Sequence, residues 1–295
     1  MKTSPELELV LLAAIWGASF LFMRIGSPEF GPILFMALRT LIASLFLLPL
    51  VFIKKQQTNF SGNWQKIFIG SLFNTTVPFV LFGYATIQLS AGVTSILNAT
   101  TPMFAAIVAF VWFKDKLNKS SILGLIVGFF GVYLLMFDKI SATDNSIILP
   151  TVAVLLATLC YGIGANYTKH YLVNIKPLTL AAGSQITASV VLLPIALFFL
   201  PDHLPSIEAI NAVILLGVLC TGIAYILFFR LIADLGPAKA VSVTYLIPAF
   251  GLFWGYLFLN EQITPWIIMG SCFILLGVGL TTGVIARSYR AITAK

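Results

Sequence analysis

The stretch "FMALRTLIASLFLLPLV" (35–51) carries one arginine, and the nearest charged residues are Glu29 before it and Lys54 after it. A cation within an apolar span costs at least about 2.5–3.5 kcal/mol on insertion scales, so Arg39 must find water, an anion or backbone oxygen. Its chemistry is therefore narrow. It can attract a substrate carboxylate or phosphate, hold a gate, or tie helices together through carbonyls and hydroxyls. Trp16, in "AAIWGAS", lies in the middle of an apolar run, whereas Trp64, Trp112, Trp254 and Trp266 lie near run ends, as an aromatic belt predicts. Tyr161 holds the equivalent place in the second half of the chain. The two rings could wall a cavity and stack on a planar solute, or pack beside Gly17 and Gly162.

Polar residues also gather ahead of prolines, in "NTTVP" (74–78), "NATTP" (98–102) and "VTYLIP" (243–248). Proline leaves a helix carbonyl without its donor, and that carbonyl can face a solvated cavity. Asn74, Asn98, Thr101, Thr244 and Tyr245 are thus candidate substrate-binding residues, with Gln185 and Tyr225. Any one of them alone can equally be an interhelical hydrogen bond; as a set they describe a polar lumen.

Other chemistry is missing. His170 and His203 lie near span ends, HExxH does not occur, and Glu6, Glu8, Asp115, Asp138, Asp234 and Glu261 all fall at span ends. No hydrolytic site at membrane depth can be assembled from these, so an intramembrane enzyme is disfavoured. A channel or sensor would need a charged pore ring or an attached signalling domain, and neither is visible. Cys160, Cys220 and Cys272 sit in apolar runs without metal-ligand spacing and are expected as buried thiols. No cofactor and no metal are expected.

The elements that position these residues follow from composition. Of 295 residues 59% are hydrophobic and 9% charged, against about 25% charged in a soluble domain. The net charge of +7 does not indicate a nucleic-acid partner, because the basic residues form short clusters between apolar spans. The partner is the lipid bilayer. Ten runs are long enough to cross it as helices, at roughly 7–26, 31–53, 66–89, 92–113, 120–137, 147–172, 178–200, 207–232, 237–259 and 265–286. They are continuous, not alternating, which favours helices over barrel strands. The first, led by glutamates and not by a basic n-region, reads as a retained helix. With the N-terminus in the cytoplasm, 14 of the 17 lysines and arginines fall on the inner side, Arg24 and Lys139 fall outside, and Arg39 lies within a span. That bias predicts a multi-pass protein of the cytoplasmic membrane with both termini inside.

The halves repeat. At an offset of 145, Gly17 meets Gly162, Arg24 meets Lys169, Pro32 meets Pro177 and Pro49 meets Pro194. At 146, Phe82 meets Phe228, Pro102 meets Pro248, Asp115 meets Glu261 and Gly131 meets Gly277. The expected halves are residues 1–140 and 145–290. Five spans is an odd number, so the second copy must cross in the opposite sense. That is the inverted-topology repeat of many secondary transporters. Small faces on spans five and ten, with Gly124, Gly128, Gly131, Gly270 and Gly277, suggest packing or a homodimer.

With "WGASF" (16–20), "ALRTLIA" (37–43), "NATTPMFAAIVAFVWFKDKL", "GLIVGFFGVYLL" and "LIPAFGLFWGYLFLNEQIT" in order on ten spans, the chain resembles the drug/metabolite transporter superfamily, in its ten-helix EamA branch. The second half departs from the first: Tyr161 stands for Trp16, Ser184 for Arg39, and Glu261 for Asp115. The resemblance implies a secondary transporter of a small metabolite, an amino acid or similar solute, with a lean toward export. Sugars, nucleosides and other neutral or aromatic compounds stay open. The small multidrug carriers of this superfamily use a first-helix glutamate for proton exchange; here that region is "AAIWGAS", which argues against that route.

Overall fold

The computed structural model describes residues 4–141 and 145–284. Ten helices among them are long and apolar enough to cross a membrane: α1 (Pro5–Phe30), α2 (Pro32–Ile53), α3 (Trp64–Ala85), α4 (Ala91–Phe113), α5 (Lys119–Phe137), α6 (Ile148–Tyr171), α7 (Pro177–Ala196), α8 (Ile207–Leu235), α9 (Lys239–Leu259) and α10 (Pro265–Thr282). No strand occurs among the described residues. Lys2, Arg287, Arg290 and Lys295 lie outside them, as does the side chain of Lys139. The end of the bundle that carries Lys54, Lys55, Lys114 and Lys116 is called the basic face below, and the opposite end the far face.

Local sequence starts these helices. Pro5, Pro32, Pro177 and Pro265 open α1, α2, α7 and α10, where a missing N–H costs nothing. Ser4, Ser90, Ser206 and Thr264 cap α1, α4, α8 and α10 by accepting from the backbone N–H three residues on. The expected spans match to within four residues at every end, with α1 running on to Phe30 and α10 stopping at Thr282. The apolar run 197–200 leaves α7 as a turn with Phe198 85% exposed. Pro201 follows it and disfavours helix in the residue before. Residues 86–89 turn away from α3 in the same manner. Cys272, expected to be buried, is exposed, while Cys220 is buried and Cys160 lies between. The reason is that α10 turns its glycines inward and leaves Cys272 on the outer surface of the bundle.

The repeat is visible residue by residue. Helices α3 and α8 each widen into one π-helical stretch, Leu72–Thr76 and Val218–Ile223. Helices α4 and α9 each break before a proline-led second half, Thr101–Phe113 and Ile247–Leu259. Each half then ends on a left-handed residue, Lys114 (φ 60°) and Asn260 (φ 52°). Packing repeats too. A Cβ on Gly17 would lie 2.6 Å from Phe250 Cβ, and one on Gly162 would lie 2.8 Å from the Ala105 nitrogen. Phe250 and Gly251 are the counterparts of Phe104 and Ala105, so the first helix of each half packs on the fourth helix of the other.

Equivalent helices meet across the centre. Ser44 of α2 and Ser189 of α7 pair at 3.3 Å, and Thr179 at the start of α7 reaches the Gln56 carbonyl just past the end of α2. That register makes α2 and α7 antiparallel, as inverted halves require. Helices α5 and α10 also run antiparallel. A Cβ on Gly124 would lie 2.5 Å from the Gly277 carbonyl, and one on Gly131 would lie 2.7 Å from the Ile274 nitrogen. The glycine faces of α5 and α10 are therefore used within one chain, and a homodimer through these helices would have to use their outward faces.

Candidate functional site

Arg39 is held among α2, α3 and α8. It is 7% exposed. Its Nε donates to Thr221 Oγ1 at 3.1 Å, and the guanidinium carbon lies 3.7 Å from the centre of the Phe79 ring. Thr221 is aimed by its local fold: its hydroxyl donates to the Leu216 carbonyl, five residues back, at 2.8 Å. That i−5 bond belongs to the wide turn of α8. The lone pair left over receives Arg39. The other guanidinium donors make only a long 4.0 Å contact with Met36 Sδ among the described residues. They remain available to an anion. The Tyr161 and Tyr225 phenols and the Cys220 thiol lie within electrostatic reach of the same cation.

The aromatic walls obey the repeat. Trp16 lies 5.1 Å from Phe228, and Tyr161 lies 5.7 Å from Phe82. These are one contact made twice, each joining the first helix of one half to the third-helix phenylalanine of the other half. Trp16 is only part-buried, as are Tyr161 and Tyr225. Tyr225 stacks on Phe229 at 5.8 Å.

The structure thus brings Arg39, Tyr161 and Tyr225 together, with Trp16 beside Phe228. Other candidates have local partners. Asn74 donates to Thr168 Oγ1 at 3.1 Å and braces α3 against α6. Thr101 donates back to the Asn98 carbonyl at 2.8 Å, closing the break in α4. Thr244 donates to the Val241 carbonyl at 2.9 Å, and Tyr245 pairs with Thr282 at 2.9 Å, tying α9 to α10. Gln185 is fully buried, and both its side-chain polar atoms lack a hydrogen-bond partner among the described residues. An unpaired buried amide is costly, which makes Gln185 a candidate for a polar ligand. Trp254, which resembled a belt residue, donates to the Ala14 carbonyl at 2.9 Å and ties α9 to α1.

Thr221 and Phe79, which hold Arg39, do not stand out in the sequence. Each sits inside an apolar run. The usable signal is the third helix of each half, where "TTVPFV" and "CTGIAY" interrupt that run.

A bundle of ten apolar helices with, among the described residues, one buried and partly uncommitted cation near aromatic rings describes a polytopic membrane protein with an internal polar site. The profile of the EamA-like transporter family matches residues 4–137 and 149–283. The chain belongs to the EamA-like transporter family of the drug/metabolite transporter superfamily. It is similar to the uncharacterized transporter YoaV of Bacillus subtilis, with 27% identity over 286 residues, 95% of this chain and 97% of that protein. An uncharacterized transporter of Archaeoglobus fulgidus is 24% identical over 277 residues, 92% of this chain and 95% of its own length. Protein PagO of Salmonella typhimurium is 22% identical over 83% of this chain and 82% of its own length. One crystal structure superposes with a TM-score of 0.66 at 14% identity, covering 96% of this chain and 99% of its own, which shows a shared fold. The protein is a multi-pass membrane transporter.

Proposed function

We propose that this transporter moves a small organic solute bearing a carboxylate, an amino acid or similar metabolite, by alternating access across the cytoplasmic membrane. The observation that carries the reading is the posture of Arg39. One donor is fixed on Thr221 and one face on Phe79, while the terminal N–H groups are left for an anion. A cation oriented in advance binds a planar carboxylate without paying to order its own side chain. Tyr161 and Tyr225 supply hydroxyls within electrostatic reach of it, and Trp16 a face for an aromatic portion. The basic face lies in the cytoplasm, both termini are cytoplasmic, and export is the direction the family resemblance supports.

A second reading rests on Gln185 and the two tyrosines. These are neutral polar groups suited to a sugar or nucleoside, with Arg39 then serving to hold α2 against α8. Proteoliposomes loaded separately with amino acids, aromatic acids, sugars and nucleosides separate the two. Saturable efflux of a carboxylate class that is lost in Arg39→Ala supports the first reading. Efflux of a neutral class that survives in Arg39→Ala supports the second. If no loaded class leaves faster than from empty-membrane controls, the metabolite-carrier reading is overturned.

A further inference from the structure

The two faces of the bundle are tied unequally. At the far face, Glu261 follows the left-handed end of α9, and its carboxylate grips the start of α4. Oε1 accepts from the Ala91 N–H at 2.6 Å and Oε2 from the Gly92 N–H at 3.0 Å. These amides are unpaired at a helix start, and the helix dipole favours an anion there. The surrounding contact is tight. Gly255 leaves the room Glu261 needs, and Gly251 lies against Ser95. Ala91, Val93, Ile96 and Leu97 are all 0% exposed. A second far-face tie is Arg24, which donates to the Thr86 carbonyl at 2.9 Å and to the Ile87 carbonyl, closing the end of α3.

The repeat places a counterpart for every part of this arrangement at the basic face. Asp115 stands for Glu261, Lys169 for Arg24, Pro237 for Ala91 and Ala238 for Gly92. Each replacement weakens the tie. Aspartate reaches one methylene less. Proline has no N–H to offer. Lysine lacks the planar fork that spans two carbonyls. Asp115 and Lys169 are exposed and make no side-chain hydrogen bond among the described residues. At the far face residues 91–98 of α4 pack closely on residues 247–259 of α9, and no comparably close contact joins Thr101–Phe113 to residues 239–245 among the described residues. Arg230 does form ion pairs at the basic face, with Glu8 at 3.3 Å and with Asp234 at 3.9 Å, but the first joins α8 to α1 and the second stays within α8.

We propose that the Glu261 carboxylate is the latch of a far-face gate between α4 and α9, and that the shortened, proline-blocked counterpart at Asp115 makes the basic-face gate the weaker of the two. The resting carrier is then closed at the far face and open at the basic face, ready to load from the cytoplasm. This rests on the alternating-access reading.

Pulsed spin-label distances in lipid nanodiscs test it without any solute, so a wrong substrate class cannot imitate failure. One label pair, at Gln88 and Ile263, spans the far gate; a second, at Lys116 and Lys239, spans the basic-face gate. Both are placed in a background lacking Cys160, Cys220 and Cys272. The native sequence should give a single short far-gate distance and a long basic-gate distance. Glu261→Gln should move the closed-to-open ratio of the far gate by about tenfold, since one charged hydrogen bond is worth roughly a decade. Asp115→Glu with Pro237→Ala should move the basic gate toward closed. A far gate already open in the native sequence overturns the proposal, and so do distances unchanged by Glu261→Gln. Should Glu261→Gln not fold as a monodisperse protein, the Asp115→Glu, Pro237→Ala variant decides, and an unmoved basic gate counts against the latch.

Discussion

Arg39 shows how far one side chain can be read before its neighbours are known. Its depth in an apolar run was enough to demand a polar partner, and the structure supplies Thr221 and Phe79. Neither was legible. The Thr221 hydroxyl is aimed by a π-helical turn, and such a turn has no composition signature of its own. The division of labour yields a prediction. Thr221→Val keeps the volume and removes the acceptor, leaving a buried Nε–H unpaired at a cost of about 1.5–3 kcal/mol. The thermal midpoint in detergent should fall, and transport should drop while remaining measurable. Arg39→Lys should be worse than Thr221→Val in the proteoliposome assay, because lysine cannot hold Thr221, cover Phe79 and present two parallel donors at once. Equal transport by native protein and Arg39→Lys would mean that only a point charge is needed.

At the scale of helices, the sequence pattern was most informative where it repeated. Ten spans and the 146-residue register of the prolines in α4 and α9 could be read off, because long apolar runs and proline act locally. The contacts between helices were only half legible. Matched glycines at 124, 131, 270 and 277 marked α5 and α10 as close-packing helices, but not that they pack on each other within one chain. A small-residue face says how near a neighbour comes, not which neighbour it is. Gly131→Leu should therefore act on the monomer. Its new side chain would meet backbone atoms of α10 at Gly270 and Ile274, and backbone yields less than a flexible side chain. Overpacking of this kind costs about 1–3 kcal/mol or more, so the thermal midpoint should fall. Leucine at Tyr133, which is 54% exposed on the same helix, should leave it nearly unchanged. A dimer interface on the glycine face would instead show as loss of a dimer peak with the midpoint preserved.

For the whole molecule, near-symmetry raises the question of which way it sits. Two halves of opposite sense offer similar shapes to both sides of a bilayer, so the fold alone does not orient the chain; charge has to. Described lysines and arginines collect at one face, among them Lys54, Lys55, Lys66, Lys114, Lys116 and Lys119. Arg24, at the far face, is engaged in closing α3 and is not a free loop charge. Insertion reads loop cations, so the basic face should remain in the cytoplasm. The same orientation decides what the unequal gates mean, since a basic-face opening loads an exporter only if that face is inside. In intact cells, an impermeant maleimide should label a cysteine at Gln88 directly, and one at Lys116 only after the membrane is permeabilised. Labelling in the reverse order would turn the resting state outward and make the weak Asp115 gate a door for uptake. Labelling of both sites in intact cells would mean that the chain inserts in two orientations and that the charge bias is too weak to choose.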